Sequence, residues 1–276
     1  MKSTRMIIPV LILGLLLFTV GCSGPEEVEG TIMDPANTYV VLMEMNHFPE
    51  GYADLEVDFI NTNQLEQLFS TLGVPSENML IKKDELTLKD MYEAFDWLAV
   101  NTSGDSSVFF YVAAHGSYIH NVLAWNTFIP KKWNALEQEN KILVVDSCMS
   151  GKFVAPFANE EASGITYAIV SADELGWWGI EEEGLPIIGS IWTHYFTRAV
   201  LSPEADFNGN QAISFTEAAN YSASKVQEYM SEEVFAVDEF LELYQNSGKD
   251  PLLEDAFPNP VCNDHLDGAF ILNTFE

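Results

Sequence analysis

Basic residues are scarce in this chain. Lys and Arg together number 12 against 42 Asp and Glu, a formal net charge of −30. Such a surface repels phosphate backbones and anionic membranes, so no nucleic-acid partner is expected. It suits basic peptides, metal cations or a salty habitat. Cysteine is scarce too, with only Cys22, Cys148 and Cys262. A bilayer-spanning run is missing. The apolar stretch from Met6 to Gly21 contains Pro9 and falls short of the roughly 20 residues a spanning helix needs. No internal repeat or low-complexity segment is evident.

What the N-terminus does carry is an export pattern. A basic start, Met1-Lys2-Ser3-Thr4-Arg5, precedes the apolar run, and Thr19-Val20-Gly21-Cys22 follows. This resembles a bacterial lipoprotein signal, in which a small residue precedes a cysteine that is lipidated and becomes the new N-terminus. Thr19 stands where such signals usually have Leu. The expected organisation is a signal peptide over 1–21, lipidation at Cys22, an acidic tether over 22–35 and one domain over 36–276. An uncleaved anchor or a plain secretory signal are the alternatives, and all three place the domain outside the cytoplasm. The lipid would hold it at the membrane. Loss of Lys2 and Arg5 with the signal would take the charge from −30 to −32.

The rest of the chain alternates between two periodicities. Thr38 to Met45, Val108 to Ala114, Lys141 to Asp146 and Thr166 to Val170 are continuous apolar runs, as in strands buried on both faces. Met79 to Ile81 is a shorter one. Between them, Leu65, Leu68, Phe69 and Leu72 fall at helical spacing, with Gly73 as C-cap. Leu88, Met91, Tyr92, Phe95 and Leu98 form a second helical face behind a Thr87/Asp90 capping pair. Helices are also predicted around Trp192 to Val200 and from Ser214 or Phe215 to about Met230. Residues 259–272 end in Ala269-Phe270-Ile271-Leu272, a candidate sixth strand. Alternation of this kind predicts an α/β fold, a mainly parallel six-stranded sheet with helices on both faces. Chemistry is then expected at the carboxyl ends of the strands.

Two strand ends carry it. The third strand runs into His115-Gly116-Ser117, and the fourth into Asp146-Ser147-Cys148-Met149-Ser150-Gly151. On neighbouring strands, an imidazole and a thiol would share one crevice, and a thiol needs a nearby base to react as thiolate. The backbone N–H groups of Gly116 and Cys148 could donate to a developing oxyanion. His47, after the first strand, and His120 are the other histidines near these ends. The competing account of Cys148 is a disulfide with Cys262, since the compartment is oxidising.

The segments Val108 to Ser117 (VFFYVAAHGS) and Lys141 to Gly151 (KILVVDSCMSG) resemble the clan of caspases, legumains, metacaspases and gingipains. The resemblance implies a caspase-like three-layer α/β/α fold over most of 36–272 and a cysteine peptidase. His115 would be general base and acid, and Cys148 the nucleophile. Asp146 matches the metacaspase acid that lines the pocket for a basic P1 side chain, and Ser171 and Asp173 would wall that pocket. The position after the cysteine is Met149, where legumain-like members carry an acid and metacaspases a histidine. Trp177 and Trp178 lie close by, for peptide binding or core packing. Readings with other outcomes are a legumain-like Asn-specific peptidase or transpeptidase, and a non-catalytic, calcium-dependent binding module at the cell surface.

The calcium expectation comes from residues 206–217. Asp206, Asn208, Asn210, Ser214 and Glu217 place oxygen side chains at loop positions 1, 3, 5, 9 and 12, and Ala212 would ligate through its carbonyl. This resembles an EF-hand loop, with Gln211 where Gly is usual. An Asx-rich turn with Ser214 as helix N-cap is the plainer account. No organic cofactor is expected.

Overall fold

In the computed structural model, period-2 burial decides which residues face which layer. The model describes residues 30–123, 125–158, 162–172, 174, 176, 178–179, 186–234, 259–266 and 269–275. The signal segment, Cys22, most of the tether, Asp173 and Trp177 lie outside these, as does the side chain of Trp178.

The elements in chain order are β1 (Thr31–Ile32), β2 (Thr38–Glu44), α1 (Ile60–Thr71), β3 (Met79–Lys83), α2 (Leu88–Asn101), β4 (Ser107–Ala113), α3 (Gly116–Val122), α4 (Trp125–Asn134), β5 (Lys141–Asp146), α5 (Gly151–Val154), β6 (Ile165–Ala168), β7 (Trp178–Gly179), β8 (Gly189–Ser190), α6 (Ile191–Ala199), β9 (Ala212–Ser214), α7 (Phe215–Tyr229), β10 (Val261–Asp264) and β11 (Phe270–Thr274). The main sheet has the order β10-β6-β5-β4-β2-β3. It is parallel except for β10, which runs antiparallel to β6. Val40, Leu42, Phe109, Tyr111, Ile142 and Val144 pack with α1, α6 and α7 on one face. Val41, Met43, Phe110, Val112, Leu143 and Val145 pack with α2 to α5 on the other. This is the expected three-layer α/β/α architecture.

Local signals behave as their chemistry requires. The Thr87 hydroxyl accepts from Asp90 N while the Asp90 side chain accepts from Thr87 N, a complete capping box. Gly73 closes α1 with φ +90°, a conformation that favours glycine. One expectation needs correcting. The sixth strand of the main sheet is β10, not the 269–272 run. The apolar Phe270–Thr274 segment pairs instead with β1 and β9 in a separate three-stranded sheet. The edge position tolerates the half-exposed Val-Cys-Asn-Asp of β10, whereas the buried Phe270, Ile271 and Leu272 need a covered site.

Strand order reverses beside β2. The chain leaves β2 for β3 on one side, then returns to β4 on the other. Such a switch point opens a crevice at the carboxyl edge, between the loops that follow β2 and β4.

Candidate active site

The crevice is built from four strand ends. After β4, His115 is half-buried and Gly116 opens α3. After β5, Ser147 and Cys148 turn back over the sheet. A Cβ at position 116 would overlap the Cys148 carbonyl, so the two segments are in backbone contact and only glycine fits there. The Gly116 N–H has no acceptor among the described residues.

The Cys148 turn is held from β6. Gly151 N donates to Val170 O at 3.0 Å, and Ser150 Oγ bridges Val170 N and O. Met149 sits at φ +56°, which costs about 1–2 kcal/mol for a residue with a side chain. Its N–H donates to Glu174 O at 2.8 Å, which helps fix that conformation. Glu174 is buried, and its carboxylate accepts from Ser171 N, Asn259 N and Asn259 Nδ2 at 2.7–3.0 Å. Glu174 thus ties the Ser171 loop, the approach to β10 and the Cys148 turn together. Replacing it by alanine strands those donors, and a loss of about 3 kcal/mol in urea unfolding is expected, with Glu174→Gln losing less.

Cys148 is a free thiol, so the Cys148–Cys262 disulfide does not form. Its Sγ donates to Gly176 O at 3.8 Å. Burial pushes the thiol above its ordinary range, the nearby Asp146 adds to this, and backbone hydrogen bonds at Gly176 and Cys148 partly offset it. His115 is oriented by the loop after β2. Its ring lies 4.7 Å from that of Phe48, and Nε2 is 3.0 Å from Ala53 O. A carbonyl can only accept, so Nε2 carries the proton and Nδ1 is the basic nitrogen. Thiol and imidazole are not hydrogen-bonded to each other among the described contacts. Burial favours the neutral form of the resting thiol.

The other histidines are placed elsewhere. His47 donates from N and Nδ1 to the Asp84 carboxylate, which raises its pKa. His120 lies exposed on α3.

Asp146 shares a face with Ile142 and Val144, so its carboxyl points into the α6 side. It is fully buried, and Oδ2 accepts from Tyr111 OH and Thr193 Oγ1, both at 2.8 Å. Glu44, at the end of β2, is on the same face and equally buried. It accepts from Asn61 Nδ2 and Thr62 N at 2.8 Å. Burial raises its pKa to about 7, the bonds from Thr62 and Asn61 oppose this, and the Asp146 charge adds to it. A carboxyl raised by folding supplies its stability below its unfolded pKa and loses it as pH climbs through the folded value. The melting temperature is therefore expected to fall between pH 5 and 8, and Glu44→Gln to flatten that fall, worth about 3 kcal/mol at most. Thermal melts across that range test it.

Ala53, Phe48, Glu44 and Thr193 were not found by sequence reasoning, and Glu174 was legible only as part of the Ser171–Glu174 segment after the fifth strand. Of the first four only Glu44 left a signal, a lone acid closing an apolar strand run.

A caspase-domain family model matches residues 38–237, a span that includes His115 and Cys148. The crystal structure of caspase-1 from Spodoptera frugiperda superposes with a TM-score of 0.57 at 11% identity, covering 93% of this chain and 98% of that one. That likeness carries the fold alone. No curated protein matches the chain in sequence. With the family model spanning most of the chain and both motif strands inside it, the protein belongs to the caspase-domain family of cysteine peptidase type.

Proposed function

We propose that the protein is a cysteine endopeptidase acting through a thioacyl-enzyme at Cys148, with preference for a basic P1 residue. The observation that carries this is the backbone contact between Gly116 and Cys148, which brings a free thiol and an oriented imidazole to one crevice. His115 Nδ1 takes the thiol proton as Sγ attacks the scissile carbonyl. The oxyanion is met by the N–H groups of Gly116 and Cys148. Collapse breaks the C–N bond, and the imidazolium protonates the leaving amine. Water, deprotonated by His115, then attacks the thioester, and the thiolate leaves and regains the proton. Ala53 O keeps the ring in the required tautomer throughout. Asp146 and Glu44, two buried carboxyls beneath the crevice, would attract an Arg or Lys side chain, with Ser171 and Asp173 as further wall. The proposal includes export and anchoring through Cys22, which would leave this site facing extracytoplasmic peptides and proteins.

Acyloxymethylketone peptide probes with P1 Arg, Lys, Asn or Asp test the reading. The expected result is a covalent adduct mapped to Cys148 by mass spectrometry, strongest for Arg and Lys. A preference for Asn or Asp would keep the dyad and remove the role given to Asp146. No adduct on folded protein with any probe would overturn the peptidase assignment and leave a binding module.

A further inference from the structure

The first turn of α7, behind the loop that follows α6, contains an oxygen with no counterpart among the described residues. Glu217 is 9% exposed, and its Oε2 accepts from Ser214 N and Ser214 Oγ at 2.9 Å. Its Oε1 is buried and has no hydrogen-bond partner among the described residues. A buried carboxylate oxygen left unmet is costly, and a cation is one thing that meets it. Both donors to the Glu217 carboxylate come from Ser214, the last residue before α7, so the group is tied to the end of the 206–214 loop.

The other oxygens of that loop are arranged around the same point in sequence. Asp206 accepts from Gly209 N, Asn210 N and Gln211 N, Asn208 Oδ1 from Asn210 N, and Asn210 Oδ1 from Ala212 N. Asp206 Oδ1 takes two N–H groups, whereas Asp206 Oδ2, Asn208 Oδ1 and Asn210 Oδ1 take one each, and a second lone pair on each of these leaves room for a metal. Gln211 O accepts from Phe275 N, on the β11 side, while Ala212 N turns to the loop. In an extended segment the N–H and C=O of one residue face the same way, so the Ala212 carbonyl also faces the loop. Gln211 adopts φ +64°, so the turn usually assigned to glycine is made without one.

We propose that residues 206–217 bind one calcium ion, through Asp206 Oδ2, Asn208, Asn210, the Ala212 carbonyl and Glu217 Oε1, with Ser214 acting through water. A flexible set of six or more oxygens suits calcium rather than magnesium. Only two of the ligands are carboxylates, which places the affinity in the weak range of about 10⁻⁴–10⁻³ M. The site joins α6 to α7 and does not depend on the peptidase reading.

Calorimetric titration of chelator-treated full-length protein with CaCl₂ tests it, alongside melts in CaCl₂, MgCl₂ and chelator. Saturable binding in the stated range is expected, with a higher melting temperature in calcium than in magnesium. Glu217→Gln, which keeps an acceptor for the α7 cap, and Asn208→Ala, at an exposed position, should each weaken binding about tenfold or more. If Glu217→Gln fails to fold, Asn208→Ala decides. No saturable binding below about 10 mM, or parental affinity in the folded variants, would overturn the site.

Discussion

Replacing His115 by alanine is expected to lower kcat/KM by about 10²–10⁴ and to change the shape of its pH profile. Cys148→Ala removes the nucleophile and should leave no measurable turnover and no probe adduct. The reason lies in the resting thiol. An ordinary cysteine, near pKa 8.5, is only about 3% thiolate at pH 7, and burial pushes Cys148 higher still. The site therefore supplies little standing thiolate, and the proton must be taken during attack. In the proposed mechanism His115 takes it, because Ala53 O fixes the proton on Nε2 and leaves Nδ1 basic. Without the imidazole, only the small thiolate fraction reacts. The residual rate of His115→Ala should then climb about tenfold per pH unit toward the thiol pKa, while the parent, which has a base to take the proton, should show a shallower rise. Stopped-time peptide assays from pH 6 to 9 show the difference. A histidine that merely packs the crevice would give a variant slower by a constant factor at every pH.

Much of the fold was legible in the chain because buried parallel strands announce themselves. TYVVLME, SVFFYVA and KILVVD have unbroken apolar centres buried on both faces, with polar or charged residues only at their ends. Their ends marked His115 and Cys148 directly. What stayed hidden depends on long-range contact. Ala53 acts through a backbone carbonyl, which any residue could supply, 62 positions from His115. Thr193 meets Asp146 across 47 residues, and Glu174 meets Asn259 across 85. The misassigned sixth strand has the same origin. Hydrophobicity identifies Phe270–Thr274 as a strand but not its partner, while the half-polar β10 is a strand only because β6 offers an edge.

Asp146→Asn is expected to cut kcat/KM for P1 Arg substrates by about 10²-fold while sparing uncharged P1 substrates. The asparagine preserves an oxygen for Tyr111 and Thr193, so a purely structural Asp146 would instead give a lower melting temperature and the same loss for every P1 residue. The neighbourhood supplies a second readout. Asp146 and Glu44 each contribute to holding the Tyr111 phenol far above its usual range, after burial itself. Asp146 also helps keep Glu44 near pKa 7, so Glu44 is partly protonated at neutral pH. A guanidinium or ammonium entering beside these carboxyls offsets their mutual repulsion and favours the ionised form of Glu44. Binding of a reversible P1 Arg inhibitor should then release a fraction of a proton at pH 7, seen as a calorimetric heat that varies with the ionisation enthalpy of the buffer. A P1 Asn analogue should release none, and Glu44→Gln should abolish the release with Arg. Buffer-independent heats for both ligands would place the P1 side chain away from this pair, and the basic preference would need another source.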